Sequence, residues 1–428
     1  MSLRLLFALT LSSAFAYGQP TYAREVSRIV QGKCQQCHRP NDIAPMAFST
    51  YDQLVDWAPD IKRVVNEGIM PPWKPVAGHG KFRDAFGLTA QEKQDLIAWI
   101  DGGTPMGDEA DMPDPLADRG EWALGDPDKV VKMTEPFTPL RGRDTYRCFV
   151  IDPQLTEDKY VSAVDVLPGN RKSVHHVILY LDSSGKAEQL DAADEGPGYS
   201  CLGGPGTFDF SLNSLTDTDA LNVTLGGWAP GARPHHLPTG VGMFLPKKAK
   251  IVMQVHYYTN VSLDADQTRL GLYYAPGNVE RRLFFLPLAQ TNLAIPAGDP
   301  AHQARPLQFP IFPGIQGKVI NVFPHMHLLG TDIKVEATRL GKTETLIWID
   351  KWDFNWQGSY TYEEPVTIPV GTTLSLSCTY DNSANNPRNP SNPPKTVRWG
   401  EQTTDEMCVG FLGVTLDQQS ALGLRPLK

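Results

Sequence analysis

A chain of 428 residues is longer than one ordinary hydrophobic core needs, so two or three domains are expected. Its 41% hydrophobic and 20% charged residues describe a folded globular protein, and the net charge of −9 argues against nucleic acid or an anionic membrane surface as a partner. The 36 prolines and 37 glycines, set among many short β-like runs, point to a turn-rich, largely all-β architecture.

The chain opens with "MSLRLLFALTLSSAFAYGQ", in which one basic residue, Arg4, precedes an apolar run and a small-x-small site at Ala14-Phe15-Ala16. This predicts a secretory signal peptide over residues 1–16. The apolar run is well short of the ~20 residues of a membrane-spanning helix, and no later segment is apolar enough to span. The mature protein is therefore expected in the periplasm or secreted. In such an oxidising compartment the four scattered cysteines, Cys148, Cys201, Cys378 and Cys408, read as two disulfides with three possible pairings. The shorter spans favour Cys148–Cys201 and Cys378–Cys408.

Residues 33–38 read "KCQQCH", the Cys-x-x-Cys-His pattern of c-type haem attachment. Cys34 and Cys37 would add to the porphyrin vinyl groups, and His38 would become the proximal iron ligand. No second Cys-x-x-Cys pair lies nearby to make a zinc site. Val26, Ile29 and Val30 recur at helical spacing just before the motif. Thr89 and Glu92 form a capping box that opens a helix carrying Leu96, Ile97 and Ile100 and stopping at Gly102-Gly103. Two helices flanking a haem site resemble a small class I cytochrome c domain, over about residues 22–105. Met70, in the Pro-rich loop "GIMPPW", is the favoured sixth iron ligand, with Met46 and His79 as rivals. Residues 106–125 are acidic, contain prolines, lack periodicity and read as a linker.

Beyond residue 126 the chain is strand-like. In "KSVHHVILYLD" the alternation of a strand begins at two adjacent histidines, His175 and His176, which a regular strand would send to opposite faces. A shared metal would require an irregular strand there, or different ring nitrogens from the two residues. Strand "KAKIVMQVHYYTN" carries His256, with Gln254 on the same face, and "KVINVFPHMHLLG" carries His325 and His327 two apart on one face. One buried histidine is usually only hydrogen-bonded; five in three strands favour a metal site. Imidazole suits Zn, Cu, Fe or Ni, and a thioether such as that of Met407 in "TTDEMCVGF" selects Cu(I).

The ordered set "SVHHVILY", "LPTGVGMF", "MQVHYY", "HMHLLG" and "DEMC" resembles the type II copper, ascorbate-dependent monooxygenases, the group of peptidylglycine α-hydroxylating monooxygenase and dopamine β-monooxygenase. The resemblance runs from residue 126 to the C-terminus. It implies two jelly-roll β-sandwiches, over residues 126–278 and 279–428, each holding one copper ion and facing the other across a solvent-filled cleft. By the same resemblance His175, His176 and His256 hold the electron-transfer copper. His325, His327 and Met407 hold the copper at which oxygen reacts, and the pairs Cys148–Cys201 and Cys378–Cys408 match two of the family's disulfides. Gln254 is a candidate to orient His256.

The implied fold is thus a small all-α cytochrome domain followed by two all-β sandwiches, with two copper ions and one haem c as cofactors. The implied reaction places one atom of O₂ into an aliphatic C–H bond of a small molecule, with electrons arriving singly from a redox protein or an ascorbate-like reductant and relayed by the haem. The peptide-hydroxylating members grip a substrate carboxylate with an arginine, an asparagine and a tyrosine; the matching positions here are Phe323, Val409 and Phe411. A carboxylate-anchored peptide is therefore not expected, and the pocket is read as apolar. His235 and His236 have no ligand counterpart in that family. The alternative is a non-enzymatic haem- and copper-binding electron carrier on the same scaffold.

Overall fold

The computed structural model describes residues 18–40, 42, 44–117, 120–142, 144–207, 224–257, 264–311, 316–417 and 419. The signal peptide expected over residues 1–16 lies outside them. The chain forms two compact units: one runs up to Pro72 and continues over Phe86–Leu116, the other takes Trp73–Ala85 and the chain from Ala117 onward. The architecture is mostly β-sheet, in several sheets, with short helices.

The helices of the first unit begin where the sequence supplies caps. Thr50 with Gln53, and Thr89 with Glu92, form capping boxes at helices Tyr51–Asp56 and Ala90–Asp101, so first-turn N–H groups find side-chain acceptors. Three consecutive helical stretches, Tyr22–Val26, Ser27–Ile29 and Val30–Cys34, lead into the Cys34–His38 turn. Leu96 and Trp99 pack with Val26, Val30, Leu54 and Ile61 to form this unit's core. Among the described residues the first unit contains no strand.

The second unit holds two sheet pairs. In the first pair, one sheet orders its strands Lys129–Lys132, Arg269–Tyr274, Lys159–Leu167, Val241–Leu245 and Arg281–Arg282; the other orders Tyr199–Ser200, Thr145–Ile151, Lys250–Tyr257, Val174–Asp182 and Thr224–Trp228. Inward residues of both, such as Val161, Leu270, Leu179 and Met253, share one core. In the second pair, the sheet Phe284–Ala289, Val409–Leu416, Gly317–His325 and Tyr360–Ile368 packs on a sheet centred on Gly330–Arg339 and Thr373–Tyr380. The two sandwiches also touch. Against Val409–Leu416 the register of Gly317–His325 slips between Val319 and Asn321, and the extra residue, Ile320, is buried in the core of the first sandwich.

Two boundaries differ from those expected. Residues 73–85, read as part of the haem domain, belong to the second unit. Phe82 is 4% exposed and packs on Tyr360 and Tyr362, while Trp73 meets Tyr360 edge-on at 5.4 Å. Backbone bonds Arg83 N–H to Thr361 O and Glu363 N–H to Lys81 O lay this strap along Tyr360–Ile368, an edge strand otherwise open to pairing. The expected linker 106–125 is also partly built in. Ala23 donates to the Met106 carbonyl and Arg28 to the Asp111 carbonyl, whereas Trp122 is buried against Gly271.

Phe82→Ala should destabilise the second unit by about 3–5 kcal/mol in denaturant titration. An unchanged midpoint would mean the strap is not part of the sandwich core.

Candidate metal centre

His175, His176 and His256 come together because their strand is irregular. The pairing of Val174–Asp182 with Lys250–Tyr257 shifts between Val174 and His176, so His175 is the extra residue of a bulge. Two neighbours that a regular pleat would separate thereby reach the same point. One nitrogen from each of the three rings lies within 4.8 Å of the others, and the Nδ1 atoms of His175 and His176 stand 3.2 Å apart.

His256 is fully buried, and neither of its ring nitrogens makes a hydrogen bond. An Asp144 carboxylate oxygen lies 3.5 Å from its Nε2, and Tyr146 stacks on the ring at 4.2 Å. A buried imidazole nitrogen left without a partner is costly, and a metal ion shared with His175 and His176 would occupy one of the two, with Asp144 beside the other. Three imidazoles are a donor set suited to copper.

The second cluster is oriented from behind. The His325 Nδ1–H donates to Gln357 Oε1 at 2.6 Å, and Gln357 in turn donates from Nε2 to the Phe354 carbonyl. The His327 Nδ1–H donates to the Asp405 carbonyl at 3.1 Å. Both rings are thereby held with Nε2 as the free lone pair, and these two atoms face each other at 3.2 Å.

Met407 is tied to the same place by Glu406, whose Oε2 accepts from both His327 N–H and Met407 N–H while Oε1 accepts from Leu329 N–H. Burial pushes the Glu406 carboxyl up to about 8 against the pull of those backbone donors. The Cys378–Cys408 bond and the Tyr380 hydroxyl, which donates to the Met407 carbonyl, fix the residues on either side. Two imidazoles and a thioether fit copper, and the thioether favours its reduced state.

The two clusters are close neighbours. Phe354, 5% exposed, stacks on His175 at 5.0 Å and meets His327 edge-on at 6.1 Å. A phenyl ring thus touches both clusters where the resemblance implies a solvent-filled cleft. Burial pushes His175 and His325 down to about 3 and His327 to about 4, with each imidazole further disfavouring charge on its neighbours; His176 is lowered in the same way.

Gln254 does not serve His256. Its amide donates to the Cys201 carbonyl at 2.8 Å, beside the Cys148–Cys201 disulfide. Phe323 stacks on His325 at 6.2 Å and on Phe411 at 6.1 Å, and Val409 pairs with His325 in register. Sequence reading missed Gln357, Phe354, Tyr146 and Asp144, which carry no motif; Glu406 sat unnoticed inside "DEMC".

In the first unit, Cys37 and His38 both donate their N–H groups to the Cys34 carbonyl. His38 donates Nδ1–H to the Met46 carbonyl at 3.1 Å and stacks on Phe48 at 4.3 Å, leaving Nε2 available to an iron ion. Burial raises the Cys34 thiol to about 12, which suits a sulfur held as a thioether rather than a reactive thiolate. Of the candidate sixth ligands, Met46 packs on the unit's core, Met70 follows helix Ala58–Asn66 with its N–H on the Val64 carbonyl, and His79 lies edge-on to Trp348 in the second unit.

Two outcomes follow from the tautomers and the burial. Gln357→Leu should weaken copper binding at His325 and His327 about 10–100-fold in competition titrations, while the three-histidine site keeps its affinity. In the metal-free protein the depressed imidazoles take up protons on unfolding below their ordinary value of 6.5. Stability should therefore be lost as pH falls from about 6.5 toward 4, by roughly 1.4 kcal/mol per pH unit for each imidazole. Four imidazoles outweigh Glu406, whose shift runs the other way, and a flat melting temperature over this range would contradict the burial.

No curated protein matches this chain. Among solved structures, the major capsid protein P2 from Bacteriophage PM2 aligns at 9% identity and TM-score 0.27, covering 67% of this chain and 96% of that one. The infectious bursal disease virus VP2 subviral particle aligns at 10% identity and TM-score 0.20, covering 70% and 74%. Likenesses this low carry no argument about fold or activity. The informative match is to a family: residues 306–414, which contain His325, His327 and Met407, are similar to the C-terminal domain of copper type II ascorbate-dependent monooxygenases.

Proposed function

We propose that this chain is a copper-dependent monooxygenase that hydroxylates an aliphatic C–H bond of a small substrate lacking a carboxylate anchor. His325, His327 and Met407 would hold one copper ion, and His175, His176 and His256 a second. When bound, the metals supply the oxygen and electron-transfer chemistry that no side chain provides. The observation that carries this reading is the pair of facing Nε2 atoms of His325 and His327, each fixed from behind and lying within the family match.

The remaining residues shape the site. Gln357 and the Asp405 carbonyl hold the ligand tautomers, and Glu406 holds the spacing between His327 and Met407. Phe323 and Phe411 offer apolar contact beside His325, in keeping with an uncharged substrate. Phe354, in contact with His175 and His327, limits water between the clusters.

The first unit would be a class I cytochrome c domain. Cys34 and Cys37 would carry haem c, with His38 and Met70 as iron ligands, and the haem would pass single electrons toward the copper-binding unit from an external donor. Such chemistry fits an exported protein. The second reading, a non-enzymatic haem- and copper-binding carrier, is favoured by one observation: the positions of the family's polar substrate anchors are Phe323, Val409 and Phe411.

Metal analysis of the purified protein after copper loading should give two coppers per haem iron, and one in His327→Ala. Substrate-dependent O₂ uptake should be abolished in that variant. Two tightly held coppers without uptake across an apolar substrate screen would favour the carrier; no tightly held copper would end the copper reading altogether.

A further inference from the structure

The loop "GARPHHLPTG" contributes no ligand to either histidine cluster, yet it walls a cavity of about 110 Å³ between the two sandwiches. Trp228 lines it from the first sandwich, Asn321 and Phe285 from the second, and Arg83 from the strap over the edge strand. Its size is of the order of one six-membered ring, since an apolar cavity of about 150 Å³ takes benzene. Trp228, Phe285 and Tyr362 give it aromatic walls.

The polar groups define what such a ring would carry. The Ser162 hydroxyl lies 3.2 Å from the Tyr273 carbonyl and 3.3 Å from that of Tyr274, so its single proton goes to a carbonyl. Its lone pair therefore accepts the His236 Nδ1–H at 3.0 Å, which leaves His236 Nε2 as an acceptor. His235 Nε2 lies 3.4 Å from Asp84, a carboxylate it shares with Arg233. Burial lowers the His235 pKa, with Asp84 opposing. Arg233 is paired with Asp84, and Asp165 lines the cavity along with Arg83, so no uniformly cationic wall selects an anion.

Position links the cavity to the metal centre. Asn321, Phe323 and His325 alternate on one face of strand Gly317–His325, and the register slip ends before Asn321. Four residues at about 3.3 Å each put the cavity wall about 13 Å from His325, with Phe323 stacked on His325 along the way.

We propose that this cavity is a distal substrate subsite. It takes the uncharged, hydroxyl-bearing ring of an elongated molecule whose apolar chain runs over Phe323 to the His325 end. The hydroxyl donates to His236 Nε2. The assignment of the chain's far end to a reacting carbon rests on the monooxygenase reading; ring binding does not.

Calorimetric titration of the full-length protein with phenol, para-hexylphenol and benzoate, with and without copper, tests this. We expect para-hexylphenol to bind at least about tenfold more tightly than phenol, and phenol more tightly than benzoate. His236→Ala should weaken both phenols about tenfold. The cavity-filling Ala232→Phe should do the same, and Phe323→Ala should weaken para-hexylphenol alone. Benzoate binding as tightly as phenol, or phenol binding unchanged in both cavity variants, would overturn the ring site. Equal affinity for phenol and para-hexylphenol would overturn its role as a subsite. The expected binding pattern without O₂ uptake would uphold the cavity and sink the monooxygenase reading; O₂ uptake with other substrates and no phenol binding would sink the cavity alone.

Discussion

The structure depends on keeping imidazoles uncharged away from water. Four of the five rings in the two clusters have their protonated form disfavoured by burial and by one another, and the fifth, His256, is fully enclosed. A neutral imidazole has one acceptor nitrogen, and where no protein donor meets it the lone pair is stranded. The protein directs these lone pairs by spending the opposite nitrogen: Gln357 and the Asp405 carbonyl do so for His325 and His327. Desolvation, tautomer and convergence are thus one arrangement. Ligands that must be deprotonated before a metal binds are already so at neutral pH.

Around this arrangement, rigidity comes from groups that join distant segments. Glu406 binds the backbone N–H groups of His327, Leu329 and Met407, and the Cys378–Cys408 bond anchors the same turn from the opposite sheet. The Asp266 carboxylate plays a comparable part in the first sandwich, accepting from Tyr257, Thr268 and the Asn170 backbone. Each is a buried carboxyl group whose oxygens accept from donors on separate segments of the chain, which fixes position more strictly than apolar packing does.

Local signals were legible in the sequence. Strand alternation placed His256 and His325 on strands, although the strand ends before His327, and Thr89 with Glu92 announced a helix start that the structure contains. The adjacent histidines His175 and His176 announced an irregular strand, because period-two geometry cannot bring neighbours to one side. What could not be read were partners fixed only by tertiary approach. Gln357 reaches His325 across 32 residues, Phe354 touches both His327 and the far more distant His175, and neither belongs to a motif. Gln254 shares a strand face with His256, but shared face does not determine contact, and its amide donates to the Cys201 carbonyl instead. The strap 73–85 was hidden by Pro75 and by Pro71 and Pro72 just before it, which read as loop, while Phe82 and Trp73 entered a core almost three hundred residues away.

The bulged residue Ile320 bears on how the sandwiches came to work as one. A side chain grown from a strand of the second sandwich completes the hydrophobic interior of the first. Neither half is then a finished module: separated, the first would carry a hole and the second an exposed isoleucine. Gene fragments encoding single sandwiches would be poor starting points for recombination, and sliding or hinge opening between the halves would have to extract that side chain first. Exchange of small molecules with the metal centre is accordingly expected through side-chain and loop motion rather than through separation of the two sandwiches.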